Sequence, residues 1–361
     1  MSLNRRSVII ATGSYIPARR VPNSDFLDNQ FFLGKGEPLD RSDNQKTLNK
    51  FQAITEIEER RWVSDDLVAA DIGYEAARDA LESGDVDGET LDYIIVAQNF
   101  GDIRADNPRS DLCPAISARI KQKLGIANPK CVAYDIQCGC PGWIQGLIQT
   151  DYYLRSGDAS RVLVIGAETL SRISDPHDRD GMLYSDGAGA AILESRATDD
   201  PIGILSHAAR SDSLETAGLM WLDSSYHPDL KNDRLYLKMN GRKLYEYALS
   251  TVPGLVRESL DKAGLQLGDV DKVLIHQANA KMDNAIIKRL FRMYGEPEIP
   301  ENLVPMTISW LGNSSVATVP TLLDLVAKGE LDGHDLSSGD IVILASVGAG
   351  MHINSVVYRW P

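Results

Sequence analysis

The stretch CVAYDIQCGCPGW, residues 131–143, joins an apolar run to a helical pattern. The run 131–134 predicts a buried strand, and apolar residues at helical spacing from Trp143 to Tyr152 predict one buried face of a helix after the turn. Gly157 predicts the end of that helix. Cys140 is therefore expected at a strand-to-helix turn, in the N-cap position, with Pro141 at the first helical position.

A thiol in that position has a defined chemistry. Unpaired backbone N–H groups and the positive end of the helix dipole both favour the thiolate, which is the form that attacks carbonyl carbons. We therefore predict that Cys140 is a covalent nucleophile. Cys138 is the alternative, but it lies two residues further from the helix start and outside the cluster of N–H groups.

The composition fits a globular protein with a large core and excludes several function classes. The 361 residues suffice for two domains or one large duplicated domain. A formal net charge of −14 argues against general nucleic-acid binding, which relies on neutralising phosphates. No apolar run approaches the roughly 18 residues of a membrane span. The run 8–11 is too short for a signal-peptide core, so we expect a cytoplasmic protein.

The cysteines do not predict a metal centre. Cys113, Cys131, Cys138 and Cys140 lack the paired spacing or the companion histidines of a zinc site. We therefore predict no metal, and we expect the cysteines other than Cys140 to be buried small apolar residues.

Strand and helix patterns alternate along the chain, which indicates a layered α/β architecture. Strands are predicted near 8–11, 91–97, 131–134, 162–165, 187–193, 271–279, 340–345 and 353–358, and helices near 65–81, 114–124, 143–157, 244–263 and 318–327. Residues 201–235 read as irregular. The order of patterns repeats weakly, so we predict two similar halves, 1–200 and 201–361, that meet at a shared seam.

The second half offers partners for the nucleophile. His276 ends a predicted strand, Asn313 precedes a helix, and Gly348-Ala349-Gly350 forms a turn. Each feature alone is more often structural, because such histidines are commonly satisfied core residues and an Asn before a helix is usually a cap. The other five histidines are interpreted as surface or structural residues.

Three motifs together carry more information than any one of them. CPGW at 140–143, HQAN at 276–279 and GNSS at 312–315, in this order, resemble the condensing enzymes of the thiolase superfamily and most closely the β-ketoacyl-[acyl carrier protein] synthase III family. The resemblance covers nearly the whole chain. It implies a thiolase-like fold with duplicated α-β-α-β-α layers.

The resemblance also implies roles for residues. Cys140 would accept an acyl group from a primer thioester, and His276 and Asn313 would donate hydrogen bonds to the thioester carbonyl of malonyl-[acyl carrier protein] as CO₂ leaves. Backbone N–H groups of Cys140 and of Ala349 or Gly350 would form the oxyanion hole. The implied activity is a decarboxylating Claisen condensation of fatty acid biosynthesis, with coenzyme A or phosphopantetheine thioesters as substrates and no other cofactor.

Partner predictions rest on the same resemblance and on charge. Basic side chains after Asn279 fall along one side of a predicted helix, where the family docks its carrier protein: Lys281, Lys288, Arg289 and Arg292. A solvated helix face is the plainer interpretation of this pattern. The family forms homodimers through the region near Cys113.

The sequence departs from the family at the substrate entrance. Lys50 and Ile54 stand where bacterial short-chain enzymes place a Trp and an Arg that clamp the coenzyme A adenine, whereas Arg179 on the opposite side is kept. Cys113 replaces a bulky aromatic residue that closes the acyl pocket from the partner subunit. The smaller residue Cys113 favours primers longer than acetyl. The changed clamp weakens the expectation of coenzyme A recognition, so delivery on a carrier protein is the alternative.

Other functions remain open at this stage. A specialised ketosynthase of secondary or long-chain lipid metabolism would use the same triad. A cysteine thioester hydrolase would use Cys140 and His276 with water, but it would leave Asn313 and the HQAN motif unexplained. A hydroxymethylglutaryl-CoA synthase type of enzyme needs a glutamate base upstream of the cysteine, which we cannot place, and a subunit with an inactive site is disfavoured by the intact triad.

Overall fold

The computed structural model describes residues 4–34, 36–230, 233–296 and 298–361. The strands are β1 Arg5–Tyr15, β2 Arg19–Pro22, β3 Phe32–Leu33, β4 Glu37–Pro38, β5 Glu59–Trp62, β6 Tyr93–Ala97, β7 Val132–Ile136, β8 Arg161–Thr169, β9 Asp186–Ala197, β10 Gly203–Ser211, β11 Met220–Asp223, β12 Tyr236–Met239, β13 Lys272–Ile275, β14 Ile341–Gly348 and β15 His352–Arg359. The helices are α1 Asn44–Thr55, α2 Ala69–Ser83, α3 Ile116–Lys123, α4 Gly142–Ser156, α5 Ser213–Thr216, α6 Gly241–Ala263, α7 Ala280–Met293, α8 Ile308–Leu311 and α9 Thr318–Ala327.

Two large sheets share one topology. The first has the order β1-β9-β8-β6-β7 and the second has the order β10-β15-β14-β13. In both sheets the first three strands pair antiparallel and the next pairing is parallel, β8 with β6 and β14 with β13. The strands of the second sheet therefore correspond in order and direction to β1, β9, β8 and β6 of the first, as expected of a duplicated fold.

Helices cover and separate the two sheets. The central core contains α4 and α9 together with inward-facing residues of both sheets. A second core lies between α2, α3 and the outer face of the first sheet. A third core lies between α6, α7 and the outer face of the second sheet. Strands that are covered on both faces are continuously apolar, and the apolar runs at 93–97 and 162–165 therefore predict buried strands. The predicted α-β-α-β-α layering is confirmed.

Glycines bring the second half close to the first sheet. A Cβ added to Gly166 on β8 would lie 2.3 Å from the carbonyl oxygen of Val316, and one on Gly189 of β9 would lie 2.6 Å from the backbone N of Thr321. No side chain fits at these distances, so the segment 313–321 rests directly on the backbone of the first sheet. This contact places the segment that begins at Asn313 beside the start of α4, where a Cβ on Gly142 would lie 3.4 Å from the Val316 side chain.

Several local predictions were wrong. Residues 203–211 form the edge strand β10 inside the region interpreted as irregular. Tyr152 is 57% exposed although the helical pattern placed it on the buried face of α4. The predicted boundary at residue 200 falls in the connection between β9 and β10, and the division into halves there stays a prediction.

Candidate active site

Cys140 lies in the turn between β7 and α4, as the sequence predicted, but one residue further from the helix. The helix begins at Gly142, and Pro141, with φ −69° and ψ −5°, is its N-cap. Pro141 has no N–H to contribute, so the first helical donors come from residues beyond it. Gly139 adopts φ 60° and allows the chain to reverse immediately before the cysteine.

The turn between β14 and β15 packs against the nucleophile's backbone. A Cβ added to Gly348 would lie 2.4 Å from the backbone N of Cys140, and one on Gly139 would lie 2.6 Å from the backbone N of Ala349. Gly348 lines the cavity described below, whereas Ala349 and Gly350 are outside its lining. The oxyanion-hole assignment to Cys140, Ala349 and Gly350 stays a prediction, with Gly348 as the residue of the turn nearest the cavity.

His276 follows β13 and is 3% exposed. Its backbone N donates to Ala345 O at 2.8 Å, which extends the parallel pairing with β14. The neighbouring Gln277 bridges Pro305 O and the backbone N of Thr307, each at 2.9 Å, and so fixes the strand end. Burial lowers the pKa of the imidazole to about 4, and within the described residues its Nδ1 has no hydrogen-bond partner. The ring is therefore neutral at physiological pH.

The backbone N–H and C=O of Asn313 are both hydrogen-bonded to residues of the first half of the protein. Its backbone N donates to Leu183 O at 2.9 Å and its O accepts from the backbone N of Ser185 at 2.8 Å. Its Oδ1 accepts from the backbone N of Ser315 at 2.9 Å, where Ser315 has a left-handed φ of 54°. Since the carbonyl end of the amide is occupied, the NH₂ end remains as a donor group.

One cavity of about 800 Å³ is lined by all three predicted catalytic side chains, Cys140, His276 and Asn313. Its walls are mostly apolar, with Phe51 and Ile54 from α1 on one side. Further apolar lining residues are Met182, Leu183, Met220, Met239, Leu244, Met282 and Val347. The cavity can therefore hold an apolar chain next to the cysteine, the imidazole and the amide.

The prediction of a thiolate in the free site was wrong. Cys140 is only partly exposed, at the wall of the cavity. Burial, together with the charge of Glu168, raises the pKa of the Cys140 thiol to about 11, although a hydrogen bond from Ser315 opposes the rise. Loss of solvation disfavours the charged form of the thiol and is the largest cause of the shift. With this pKa the thiol of the free site is predominantly protonated at physiological pH.

The predicted entrance residues lie at the cavity. Arg179, Asn279, Lys50 and Ile54 all line it. Asn279 also caps α7, because its Oδ1 accepts from the backbone N of Met282 at 2.8 Å. These positions place the departure from the family's adenine clamp on α1, directly beside the cavity.

Other predicted residues lie at the surface. The four basic residues Lys281, Lys288, Arg289 and Arg292 are exposed on α7, and Lys281 also lines the cavity. Cys113 is exposed and does not line the cavity of its own chain, so the expectation that it would be buried was wrong. Cys138 is partly exposed, and only Cys131 of these three is buried.

Sequence reasoning missed a buried carboxyl next to the nucleophile. Glu168, at the end of β8, is 1% exposed and accepts a hydrogen bond from Asn99 Nδ2 at 2.8 Å. Burial raises the pKa of this carboxyl to about 8. The only sequence signal is a charged residue near the end of an apolar strand, which does not reveal what it contacts.

Two wider searches of the described residues were negative. None of their helices combines the length and apolarity needed to cross a membrane. In the same ranges, no group of three or more His, Cys, Asp or Glu side chains is placed to hold a metal ion.

Comparisons with known proteins match the regions of the chain that contain Cys140, His276 and Asn313. A family model described as 3-oxoacyl-[acyl-carrier-protein] synthase III matches residues 134–213, and its C-terminal counterpart matches residues 260–360. The β-ketoacyl-[acyl-carrier-protein] synthase III of Cereibacter sphaeroides is 31% identical over 98% of this chain and 99% of that protein. The solved synthase III from Thermus thermophilus has a TM-score of 0.79 at 30% identity, covering 98% of this chain and 99% of that one. The priming β-ketosynthase of the R1128 polyketide pathway has a TM-score of 0.80 at 26% identity, covering 100% and 98%.

Proposed function

The chain belongs to the 3-oxoacyl-[acyl carrier protein] synthase III family, an acyltransferase family of fatty acid biosynthesis, and on that premise we propose how its cavity performs the condensation. The observation that carries the proposal is that Cys140, His276 and Asn313 line one cavity. The nucleophile comes from the first half, whereas the two hydrogen-bond donors come from the second.

In the first half-reaction, Cys140 takes the acyl group of the primer. Its sulfur attacks the thioester carbonyl carbon, the bond from that carbon to the primer's sulfur breaks, and the thiol proton leaves with the departing thiol. The tetrahedral oxyanion is stabilised by the backbone N–H of Cys140 and by an N–H of the turn 348–350, which packs against it. The raised pKa of Cys140 means that deprotonation accompanies attack and does not precede it.

In the second half-reaction, malonyl-[acyl carrier protein] loses CO₂. The electrons of the broken C–C bond pass into an enolate, whose oxygen accepts hydrogen bonds from His276 and the Asn313 amide. The resulting carbanion attacks the acyl-Cys140 carbonyl and releases the cysteine as a thiolate, which takes up a proton from solvent to restore the thiol. A neutral imidazole and an amide NH₂ suit this step, because an enolate needs donors and no strong base.

We propose that the primer is longer than acetyl. The apolar lining from α1, Met182 and Met220 leaves room for a chain of several carbons beside Cys140. Ile54 adds to this apolar wall at a position where short-chain relatives clamp the adenine. An acyl chain that displaces water from these side chains gains roughly 0.8 kcal/mol for each buried CH₂.

We propose that a phosphopantetheine arm delivers at least the malonyl group. Exposed Lys50 on α1 and Lys281 on α7 line the cavity, so a single phosphate can be held there. The cavity lining also includes the basic residues Lys46 and Arg179 and the acidic residues Asp40, Asp43 and Asp180. Its net charge is therefore small, which favours one phosphate over the several phosphates of coenzyme A. The exposed basic face of α7 fits an acidic carrier protein, and this combination favours a carrier-bound primer as well.

Further features of the proposal concern assembly and compartment. Exposed Leu112, next to exposed Cys113, provides an apolar contact for a second copy of the chain in a homodimer. All four cysteines are free, and a nucleophilic thiol requires a reducing compartment, which supports a cytoplasmic location. Nothing in the proposed chemistry requires a cofactor beyond the thioester substrates.

A specialised ketosynthase is the second candidate. The apolar cavity and the altered adenine clamp would serve a priming enzyme of another pathway equally well, and the likeness to the R1128 priming enzyme supports keeping this alternative. The two candidates share the same chemistry and differ in primer and carrier.

Mass spectrometry of the intact protein tests the proposal. The protein is incubated with acetyl, hexanoyl, decanoyl and tetradecanoyl thioesters, each on coenzyme A and on acyl carrier protein, and the loaded peptide is mapped. Acylation of Cys140 by medium or long chains is expected, and Cys140→Ala should abolish it. Loading at Cys138 would overturn the nucleophile, and loading by acetyl alone would overturn the primer class. Hydrolysis of the acyl-enzyme without malonyl decarboxylation would indicate a thioesterase.

A further inference from the structure

A chain of side-chain contacts runs from the nucleophilic sulfur to the buried carboxyl. Ser315 Oγ lies 3.5 Å from Cys140 Sγ and is placed to donate to it. Asn99 Nδ2 lies 3.4 Å from Ser315 Oγ and 2.8 Å from Glu168 Oε2. Glu168 lies next to the last residue of β8, Asn99 follows β6 and Ser315 precedes α9. This series of contacts therefore runs from the first half of the protein to the second.

The chemistry of these groups fixes the direction of the hydrogen bonds. The Asn99 amide nitrogen carries two hydrogens, and Glu168 Oε2 and Ser315 Oγ are the two acceptors that it faces. A hydroxyl that accepts from Asn99 still has its own hydrogen, and the remaining contact of Ser315 Oγ is Cys140 Sγ. The sulfur therefore receives a hydrogen bond at the far end of the chain.

The backbone holds Ser315 in place for this contact. Its φ of 54° is a conformation that side-chain-bearing residues rarely adopt. The Asn313 side chain stabilises it by accepting from the backbone N of Ser315 at 2.9 Å. Strained backbone of this kind persists where surrounding contacts enforce it, which is common at functional sites.

We propose that Glu168 and Asn99 are positioning residues that hold the Ser315 hydroxyl as a hydrogen-bond donor to the nucleophilic sulfur. The hydrogen bond stabilises negative charge on sulfur twice, when Cys140 attacks the primer and when it leaves after the condensation. No proton passes along the chain, because an amide nitrogen separates Ser315 from Glu168. The thiol proton departs with the primer's thiol, so the half-reactions balance as before.

The groups around Glu168 shift its pKa, and its charge in turn shifts the pKa of Cys140. Asn99 and the backbone N–H groups of Asn99 and Phe100 favour its ionised form, whereas burial and the charge of Asp186 oppose it. An ionised Glu168 raises the pKa of Cys140. A benefit of Glu168 to the nucleophile must therefore come from the acceptor that it offers Asn99 and not from its charge.

The pH dependence of Cys140 alkylation by iodoacetamide, with peptide mapping, tests the proposal. Ser315→Ala should slow alkylation about tenfold at a fixed pH below the thiol's pKa, the effect of losing one hydrogen bond to a charged group. Ser314→Ala is the matched control, because the Ser314 hydroxyl contacts Thr318 Oγ1 and not the sulfur. This control should keep the wild-type profile.

Two variants of Glu168 separate positioning from charge. Glu168→Gln keeps an acceptor for Asn99 and should alkylate at least as fast as wild type, whereas Glu168→Ala should match Ser315→Ala. A double variant of Glu168→Ala with Ser315→Ala should be no slower than either single variant. Equal behaviour of the Gln and Ala variants would overturn the positioning role, as would an unchanged profile for Ser315→Ala.

The inference rests on Cys140 being the nucleophile, and the same measurements distinguish the two failures. If wild-type Cys140 is not labelled or acylated while Cys138 is, the proposed function fails. If Cys140 is acylated but its alkylation profile does not respond to Ser315→Ala, only the positioning chain is refuted. Circular dichroism and the melting temperature of each variant confirm that the compared proteins are folded.

Discussion

Replacing Glu168 by Gln should change how the stability of the protein depends on pH. The pKa of the buried carboxyl is raised from 4.5 to about 8, mainly by burial. A folded protein that keeps this proton when the unfolded chain has lost it becomes less stable as pH rises. The stability from the neutral form is therefore fully present below about pH 4.5 and is lost as pH rises through about 8. At about 1.4 kcal/mol per pKa unit, the whole loss is about 5 kcal/mol.

Urea denaturation at several pH values measures this effect. A glutamine does not ionise, so the free energy of unfolding of Glu168→Gln minus that of wild type should increase by roughly 3 kcal/mol between pH 5.5 and 8. The difference is informative because partly buried Asp180, whose pKa is also raised and which is not among the groups that shift Glu168, is present in both proteins. Glu330→Gln, at an exposed position, is the control and should follow wild type.

One result would refute the reasoning. If the unfolding free energies of wild type and Glu168→Gln run parallel from pH 5.5 to 8, then Glu168 carries the same charge in the folded and unfolded protein. The carboxyl would then not be a buried neutral group at physiological pH, and its charge would raise the pKa of Cys140 across the whole pH range of the assay.

Three further predictions concern the chemistry, the docking face and the seam. His276→Ala should lower the rate of malonyl decarboxylation about 10²–10³-fold, whereas acyl loading of Cys140, measured by mass spectrometry, should be retained. The wild-type decarboxylation rate should show no inflection near pH 6.5, because the imidazole pKa is about 4. An inflection there would contradict a neutral ring. Reversing Lys288 and Arg292, which are exposed on α7 outside the cavity lining, to Glu should raise the KM for malonyl-[acyl carrier protein] with little change in loading from acyl-CoA, and an equal loss in both assays would exclude a docking face. Gly166→Ala should lower the melting temperature by several degrees, since its Cβ would lie 2.3 Å from Val316 O, and an unchanged value would mean that the seam can relax.

The layered fold was predictable because its signals are local and strong. Apolar runs at 93–97 and 162–165 are covered on both faces, and the motifs at 140–143 and 312–315 open helices. Strand β10 was not predicted, because its second half is exposed and it alternates small and polar residues at a sheet edge. Such a strand depends on pairing with β15, far away in sequence.

Only those residues of the site that belong to sequence motifs could be predicted. Cys140, His276 and Asn313 belong to recognisable patterns, and the structure places them in one cavity. The state of the thiol was predicted wrongly, because the helix start is visible in the sequence but the burial of the sulfur is not. Glu168 and its contact with Asn99, 69 residues away, require the three-dimensional arrangement.

The shared cavity has a consequence for the kinetics of the proposed reaction. Primer and malonyl thioesters would both occupy the cavity that Cys140 and His276 line, and the close backbone contact at Gly166 packs the two halves tightly together. The two carriers therefore exclude each other. The first product thiol has to leave before malonyl enters, and excess malonyl-[acyl carrier protein] becomes a competitive inhibitor of the free enzyme. In a cell, the ratio of the two carriers, as well as their amounts, would then set the rate at which new chains begin.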